Sequence, residues 1–537
     1  MFMKAKKTKK AMVNLILQAH LPYIRHEENE HFFEEDWYYE ALTESYFPLV
    51  RMFHRLEEKN TPYRITLVIS PSLAEMLKDK TYSERFEIYL KNHIALGESE
   101  VKRLEQDEAM RSVANDILNK YKTVLSEFEA YGKEPLNAFI SLLKNGNAEI
   151  ITSVAAHPFL PLYESRPALI KSGLTTAAKV HFITFKNYSK GIWFPDCGYY
   201  PGLDEILKKN VLESRYFYVS PTGFALSDKC IKRGCYAPVR TSSGLYAFAL
   251  DMALRDYVTS SFTGYPGDDD YREFYRDIGF DLDIKYIRSF LPNMKESGFT
   301  GYKYYAVSGK RDDKKMYNAE RAAQKTSIHA DHFVSCIEKK AKDVSSLIDL
   351  PPIFNIAFDT ELFGHWWSEG VEWLEKVLVN LSNSEDLVCA TSSDYLDEFE
   401  NDVYDGVVVR SSNAFNTYSY PYIDGENSCI QRSIFNAIDK VEDLSTRFKG
   451  DKNPVKQRYI KQAVKEILLV TSSDWPQLIH NNTCTEYATM RINEHLGNIN
   501  KICDLLSYGK SDTTWLVGVE KRFPLFEGID YRTFTKD

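Results

Sequence analysis

The chain has 537 residues, 44% of them apolar and 27% charged, which is a globular composition too long for one small core. The formal charge of −9, from 67 basic and 76 acidic residues, excludes the strongly basic face of a nucleic-acid protein. No apolar run approaches 18 residues, so no membrane-spanning helix is expected.

In chain order, the basic run "KAKKTKK" (4–10) reads as a solvated tail. "AMVNLILQAH" is broken by Asn14 and Gln18, so it reads as a first strand rather than a secretory segment. Short, nearly continuous apolar runs at 13–20, 63–70, 148–157, 191–197, 215–220, 354–363 and 386–393 have the character of strands buried on both faces. Amphipathic helical patterns such as 31–58 and 369–381 separate many of them. This alternation predicts an α/β fold, and the number of strands a barrel. Residues 72–146 read as helix after helix, a helical insertion, and the pattern turns helical again from about 427. Eight scattered cysteines make neither a disulfide framework nor a zinc site, and predict reduced thiols and a cytoplasmic location. The 14% aromatic content fits a carbohydrate cleft and an ordinary core equally well.

In a parallel barrel the active site lies beyond the C-terminal ends of the strands. The candidate strands end in His20, His157, Asp196 and Asp359 with Glu361. Titratable groups at four such ends point to one shared cleft.

The segments "HLPY" (20–23), "HPFLPLY" (157–163), "GIWFPDCGYYPG" (191–202), "GYPGDDDYREFYRDIGFDLD" (264–283) and "FDTELFGHWWSEG" (358–370), in this order, resemble glycoside hydrolase family 57, most closely its α-1,4-glucan branching-enzyme branch. "LLVTSSDWPQLIHNNTCTEYATMRINEHL" (468–496) resembles the helical C-terminal domain of that branch. The resemblance implies a distorted (β/α)7 barrel over 11–405 with an insertion at about 72–146, and a helical C-terminal domain over 406–537. It implies a retaining mechanism on α-glucan that needs no metal or cofactor, with Asp196 as nucleophile and Asp359 as acid/base. His20, His157, Trp193, Trp366, Trp367 and Asp474 would line the sugar pocket, and Arg240 matches the family's arginine.

The family's nucleophile motif reads Gly-x-Trp-Leu-Pro-Glu-Cys, so Asp196 is one methylene short, about 1.3 Å of reach. Asn413 and Thr259 stand where the family places tryptophans, and Thr483 where relatives often carry a longer polar residue. The loop before "CYAPVR" (235–240) is compact and lacks the tyrosine expected over the cleft. Two outcomes stay open. One is an α-glucan enzyme of altered rate or specificity: branching enzyme, 4-α-glucanotransferase or amylase. The other is a degenerate homologue that binds glucan or a partner without turnover.

Overall fold

The computed structural model describes residues 10–26, 32–309, 314–414 and 419–536. The basic run at 4–10 falls outside this range except for Lys10. Nine strands form one sheet: β1 (Ala11–Ala19), β2 (Ile65–Ile69), β3 (Ala148–Thr152), β4 (Gly191–Ile192), β5 (Tyr216–Val219), β6 (Val239–Arg240), β7 (Tyr246–Ala249), β8 (Ile353–Asp359) and β9 (Leu387–Cys389). Parallel pairing runs β8–β1–β2–β3–β4–β5–β7. A bridge between Leu250 and Asn355 brings β7 back to β8, so seven strands make a ring. The ring is distorted at β4, where only Thr152 pairs with Ile192.

The count of seven agrees with the sequence reading, but the membership does not. The run at 386–393 gives β9, which pairs with the start of β1 outside the ring. The seventh ring strand is β7, which pattern reading passed over. It has four residues and is entered by a short antiparallel pairing with β6.

Side chains alternate across each strand. In β1, Val13, Leu15 and Leu17 pack outward against helices. Met12 and Ile16 point into the ring with Trp193, Tyr218 and Phe248. Gly191 belongs there because a Cβ would sit 2.4 Å from the Tyr216 ring. Asn14 also points inward and is fully buried. Its amide donates to Tyr218 Oη (3.0 Å), Asn355 Oδ1 (3.0 Å) and Ser392 Oγ (3.2 Å), and its carbonyl accepts from Thr66 Oγ1 (2.9 Å). This polar knot ties five elements at the centre of the ring.

Between β2 and β3 the insertion forms helices Pro71–Leu77, Lys80–Arg103, Glu108–Ala130 and Pro135–Ser141. Asp107 caps the third, accepting from Met110 N at 3.0 Å, and Val113, Ile117, Tyr121, Val124 and Phe128 form its buried stripe. Five C-terminal helices between Ser428 and Arg522 share one continuous apolar core with the outer face of the barrel. The segment after β1 is tied into them. Arg25 Nη1 donates to Lys521 O (2.7 Å), Arg491 Nη2 donates to Tyr23 O (3.1 Å), and His26 Nε2 bonds Tyr487 Oη (3.0 Å). No helix among the described residues is long and apolar enough to cross a membrane.

Asn14→Leu keeps the branched shape but leaves Thr66, Asn355, Ser392 and Tyr218 short of partners. It is expected to cost about 2–3 kcal/mol, read as a lower urea midpoint.

Candidate active site

The C-terminal ends of β1, β3, β4 and β8 meet the start of the helix Asp474–His480. His20, just past β1, bonds Ser70 Oγ through Nδ1 (2.9 Å) and Asp474 Oδ2 through Nε2 (3.0 Å). Its ring stacks on His157 with centroids 3.7 Å apart and planes 12° from parallel. His157 bonds Gln18 Nε2 through Nε2 (3.0 Å) and Ser473 Oγ through Nδ1 (3.2 Å). The amide of Ser473 donates to His157 O (3.1 Å), so the C-terminal helices are stitched to the barrel at this point.

Asp196 follows β4 in a tight turn with φ 50° and ψ 29°, and Cys197 also has φ 50°. Ala156 and His157 share this left-handed geometry, with φ 57° and 59°. For residues with a Cβ the conformation costs about 1–2 kcal/mol each. Strain of this kind collects where surrounding structure over-determines a functional loop. Here the tie is the amide of Asn413, which donates to Asp196 O at 2.7 Å.

Charge separates the carboxyls. Burial pushes Asp196 up to about 6, with the charges of Asp359 and Asp474 adding to it and Arg255 opposing. Burial also pushes Glu361 up to about 7, helped by Asp359 and opposed by a hydrogen bond from the Tyr46 hydroxyl. For Asp474 burial works upward too, but the charge and hydrogen bond of His20 overcome it and hold the group at about 2. Burial, with His20 beside it, pushes His157 well below its ordinary value, so it is neutral. Asp359 stands exposed at the end of β8, opposite Gln18 of β1. The result is one cleft holding two raised acids, Asp196 and Glu361, beside the exposed Asp359 and the carboxylate of Asp474.

The structure therefore brings together His20, His157, Asp196, Asp359, Asn413 and Asp474. Thr259 lies one helical turn beyond Arg255, its Oγ1 3.4 Å from Arg255 O. Five expected residues lie elsewhere. Trp193 is buried inside the barrel against Tyr218, because the residue just after β4 faces the ring interior. Trp367 is 2% exposed and packs on Tyr271 and Trp373 in the outer core. Its neighbour Trp366 is 52% exposed but rests on Phe274 beside a second hollow. Arg240 pairs with Tyr246 at the N-terminal end of β7, the face opposite the cleft, and its Nε donates to Asp405 Oδ1 at 2.7 Å. Thr483 stands exposed on the turn after the helix Asp474–His480.

Arg255 was not singled out by sequence. It lies in the helix Met252–Thr259 directly after β7 and anchors Nε on Ala357 O (3.1 Å) while its charge reaches Asp196. Recognition of β7 would have made it a candidate, since a basic residue one turn past a barrel strand faces the mouth. Glu361 was visible beside Asp359, but its burial and its tie to Tyr46 were not.

A ring of seven parallel strands with carboxyls delivered at its C-terminal mouth and completed by a helical domain defines a glycoside-hydrolase-type barrel. The sequence model of Glycosyl hydrolase family 57 matches residues 14–405, and that of the 1,4-alpha-glucan branching enzyme C-terminal region matches 433–534. The chain belongs to glycosyl hydrolase family 57. It is 28% identical over 552 aligned positions to a 1,4-alpha-glucan branching enzyme of Thermococcus kodakarensis, covering 96% of this chain and 77% of that one. A probable 1,4-alpha-glucan branching enzyme of Mycobacterium tuberculosis is 27% identical, with 98% of each chain covered. The crystal structure of the alpha-amylase AmyC from Thermotoga maritima superposes with a TM-score of 0.92 at 33% identity, covering 98% of this chain and 100% of that one.

Asp474 ionises lower in the folded chain than in the unfolded one. Its stabilisation is thus present above about pH 4 and is lost as pH falls toward about 2. Between pH 5 and pH 3 the wild type is expected to lose about 1 kcal/mol more than Asp474→Asn, measured by urea unfolding at both pH values.

Proposed function

We propose that the chain is a retaining α-glucan-active enzyme, most like 1,4-α-glucan branching enzymes, with Asp196 as nucleophile and Asp359 as acid/base. The observation that carries the reading is convergence: Asp196 and Asp359 follow from β4 and β8, close enough that the charge of Asp359 raises Asp196, at the mouth where His20, His157 and Asp474 meet. In the first step Asp359 donates its proton to the glycosidic oxygen while the Asp196 carboxylate attacks the anomeric carbon. A glycosyl ester forms and the shortened glucan leaves. In the second step Asp359 takes a proton from the acceptor hydroxyl, which attacks the same carbon and releases Asp196. A C6 hydroxyl as acceptor gives a branch; water gives hydrolysis.

Hydrolysis is the second reading, and one observation favours it. The later part of the loop after β5 is drawn toward the end of the barrel opposite the mouth. Arg233 within it is buried against Asp349 (2.5 Å) and donates to Asp402 O (2.6 Å), groups adjoining the N-terminal ends of the strands. A segment anchored there offers no cover from Arg233 onward, which favours access of water to the ester. The eight free cysteines accord with a cytoplasmic site of action.

Incubation with amylose, following new reducing ends and α-1,6 linkages, tests the reading. Linkages without matching reducing ends indicate branching, reducing ends alone indicate hydrolysis, an altered chain-length distribution with neither indicates 4-α-glucan transfer, and no change in any of these with retained glucan binding indicates a non-catalytic homologue. Asp196→Glu restores the missing methylene and is expected to raise kcat by about ten- to a hundredfold, since near-ångström misplacement costs on this scale. Attack requires ionised Asp196, so activity should fall about tenfold per unit as pH drops below about 6. Arg255→Met removes the opposing cation and should move that acidic limb upward in a pH–rate profile.

A further inference from the structure

A second hollow, about 90 Å³ in volume and open to solvent, lies between the insertion helix Glu108–Ala130, the segment 272–303 and the loop that follows Asp359. On one side Trp366 offers a half-exposed indole face, backed by the Phe274 ring at 4.6 Å. Lys120, from the insertion, also lines the hollow and makes no hydrogen bond or ion pair among the described residues. Lys303 extends over Phe274 and Phe299, and His365 donates from Nδ1 to Glu44 at 2.6 Å. The charged lining is nearly balanced, with Lys120, Arg272, Lys303 and His365 against Glu44, Asp116 and Glu273. An anion would meet three carboxylates there. A neutral polyhydroxyl ligand can use donors and acceptors alike and stack on the indole.

We propose that this hollow is a second α-glucan subsite, outside the catalytic cleft, which holds a neutral gluco-oligosaccharide segment between Trp366 and Lys120. The inference rests on the α-glucan reading of the cleft. The two places share a loop: Trp366 N donates to Glu361 O (3.1 Å), and Ser45 Oγ donates to the same carbonyl (3.5 Å). Gly364, at φ 100°, lets this loop pass so close to Glu44 that a Cβ would lie 1.9 Å from the Glu44 carbonyl oxygen. A glucan segment on Trp366 thus bears on the backbone that carries Asp359 and Glu361. It also gives the helical insertion a direct part in substrate capture.

Calorimetric titration of full-length Asp359→Asn protein with maltoheptaose tests this, because that background does not turn over. Two classes of site are expected. Lys120→Met should weaken one class about tenfold, the scale of one charge-assisted hydrogen bond, and Asp116→Ala, at the exposed rim, should weaken the same class. His20→Ala should weaken the other. A single class that responds to His20→Ala and ignores Lys120→Met and Asp116→Ala overturns the second subsite and leaves the cleft reading intact. A single class that responds only to the insertion variants supports the subsite and removes glucan from the cleft. No binding to either overturns both.

Discussion

The contact between His20 and Asp474 joins the first strand of the barrel to a helix 454 residues later, and the site's geometry depends on it. It fixes the His20 ring, which supports the stacked His157 ring, which in turn reaches Gln18 and Ser473. It also keeps Asp474 charged within reach of Asp196. Neither the barrel nor the helical region holds these groups alone. Their relative placement is secured by burial of a common core and by side chains such as Arg25 and Arg491 that end on backbone carbonyls of the other part.

Within that frame, chemistry comes from unequal environments for like groups. Four carboxyls share one neighbourhood, and burial alone would neutralise all that lie inside. His20 prevents this for Asp474, Arg255 moderates it for Asp196, and the Tyr46 hydrogen bond only partly offsets it for Glu361. Acid–base assignments in enzymes follow from such separation of ionisation. The left-handed turns at Ala156–His157 and Asp196–Cys197 belong to the same economy of constraint, since both loops bend sharply to present a side chain at the mouth.

Much of the frame was legible in the residue pattern because parallel strands buried on both faces leave continuous apolar runs, and the helical regions carry their own period. The short β7 escaped because a four-residue strand entered through a tight hairpin has no flanking helix-to-strand contrast. That gap hid Arg255 and left Arg240, an arginine of the right type on the wrong end of the barrel, in its place. Trp366 and Trp367 make the same point at closer range. Adjacent in sequence, one is half-exposed and the other is sealed in the core, and only the turn after Asp359 decides which.

By itself, the sequence determined the fold class, the family, the two acidic strand ends and the histidines that accompany them, because residue type and order along a strand dictate which groups reach its C-terminal end. Tertiary structure alone decided that Arg255 answers Asp196, that burial raises Glu361, that Trp193 and Trp367 are core, and that a second polar hollow adjoins the acid loop. These are matters of distance and solvent exclusion between segments far apart in the chain, and no local pattern encodes them.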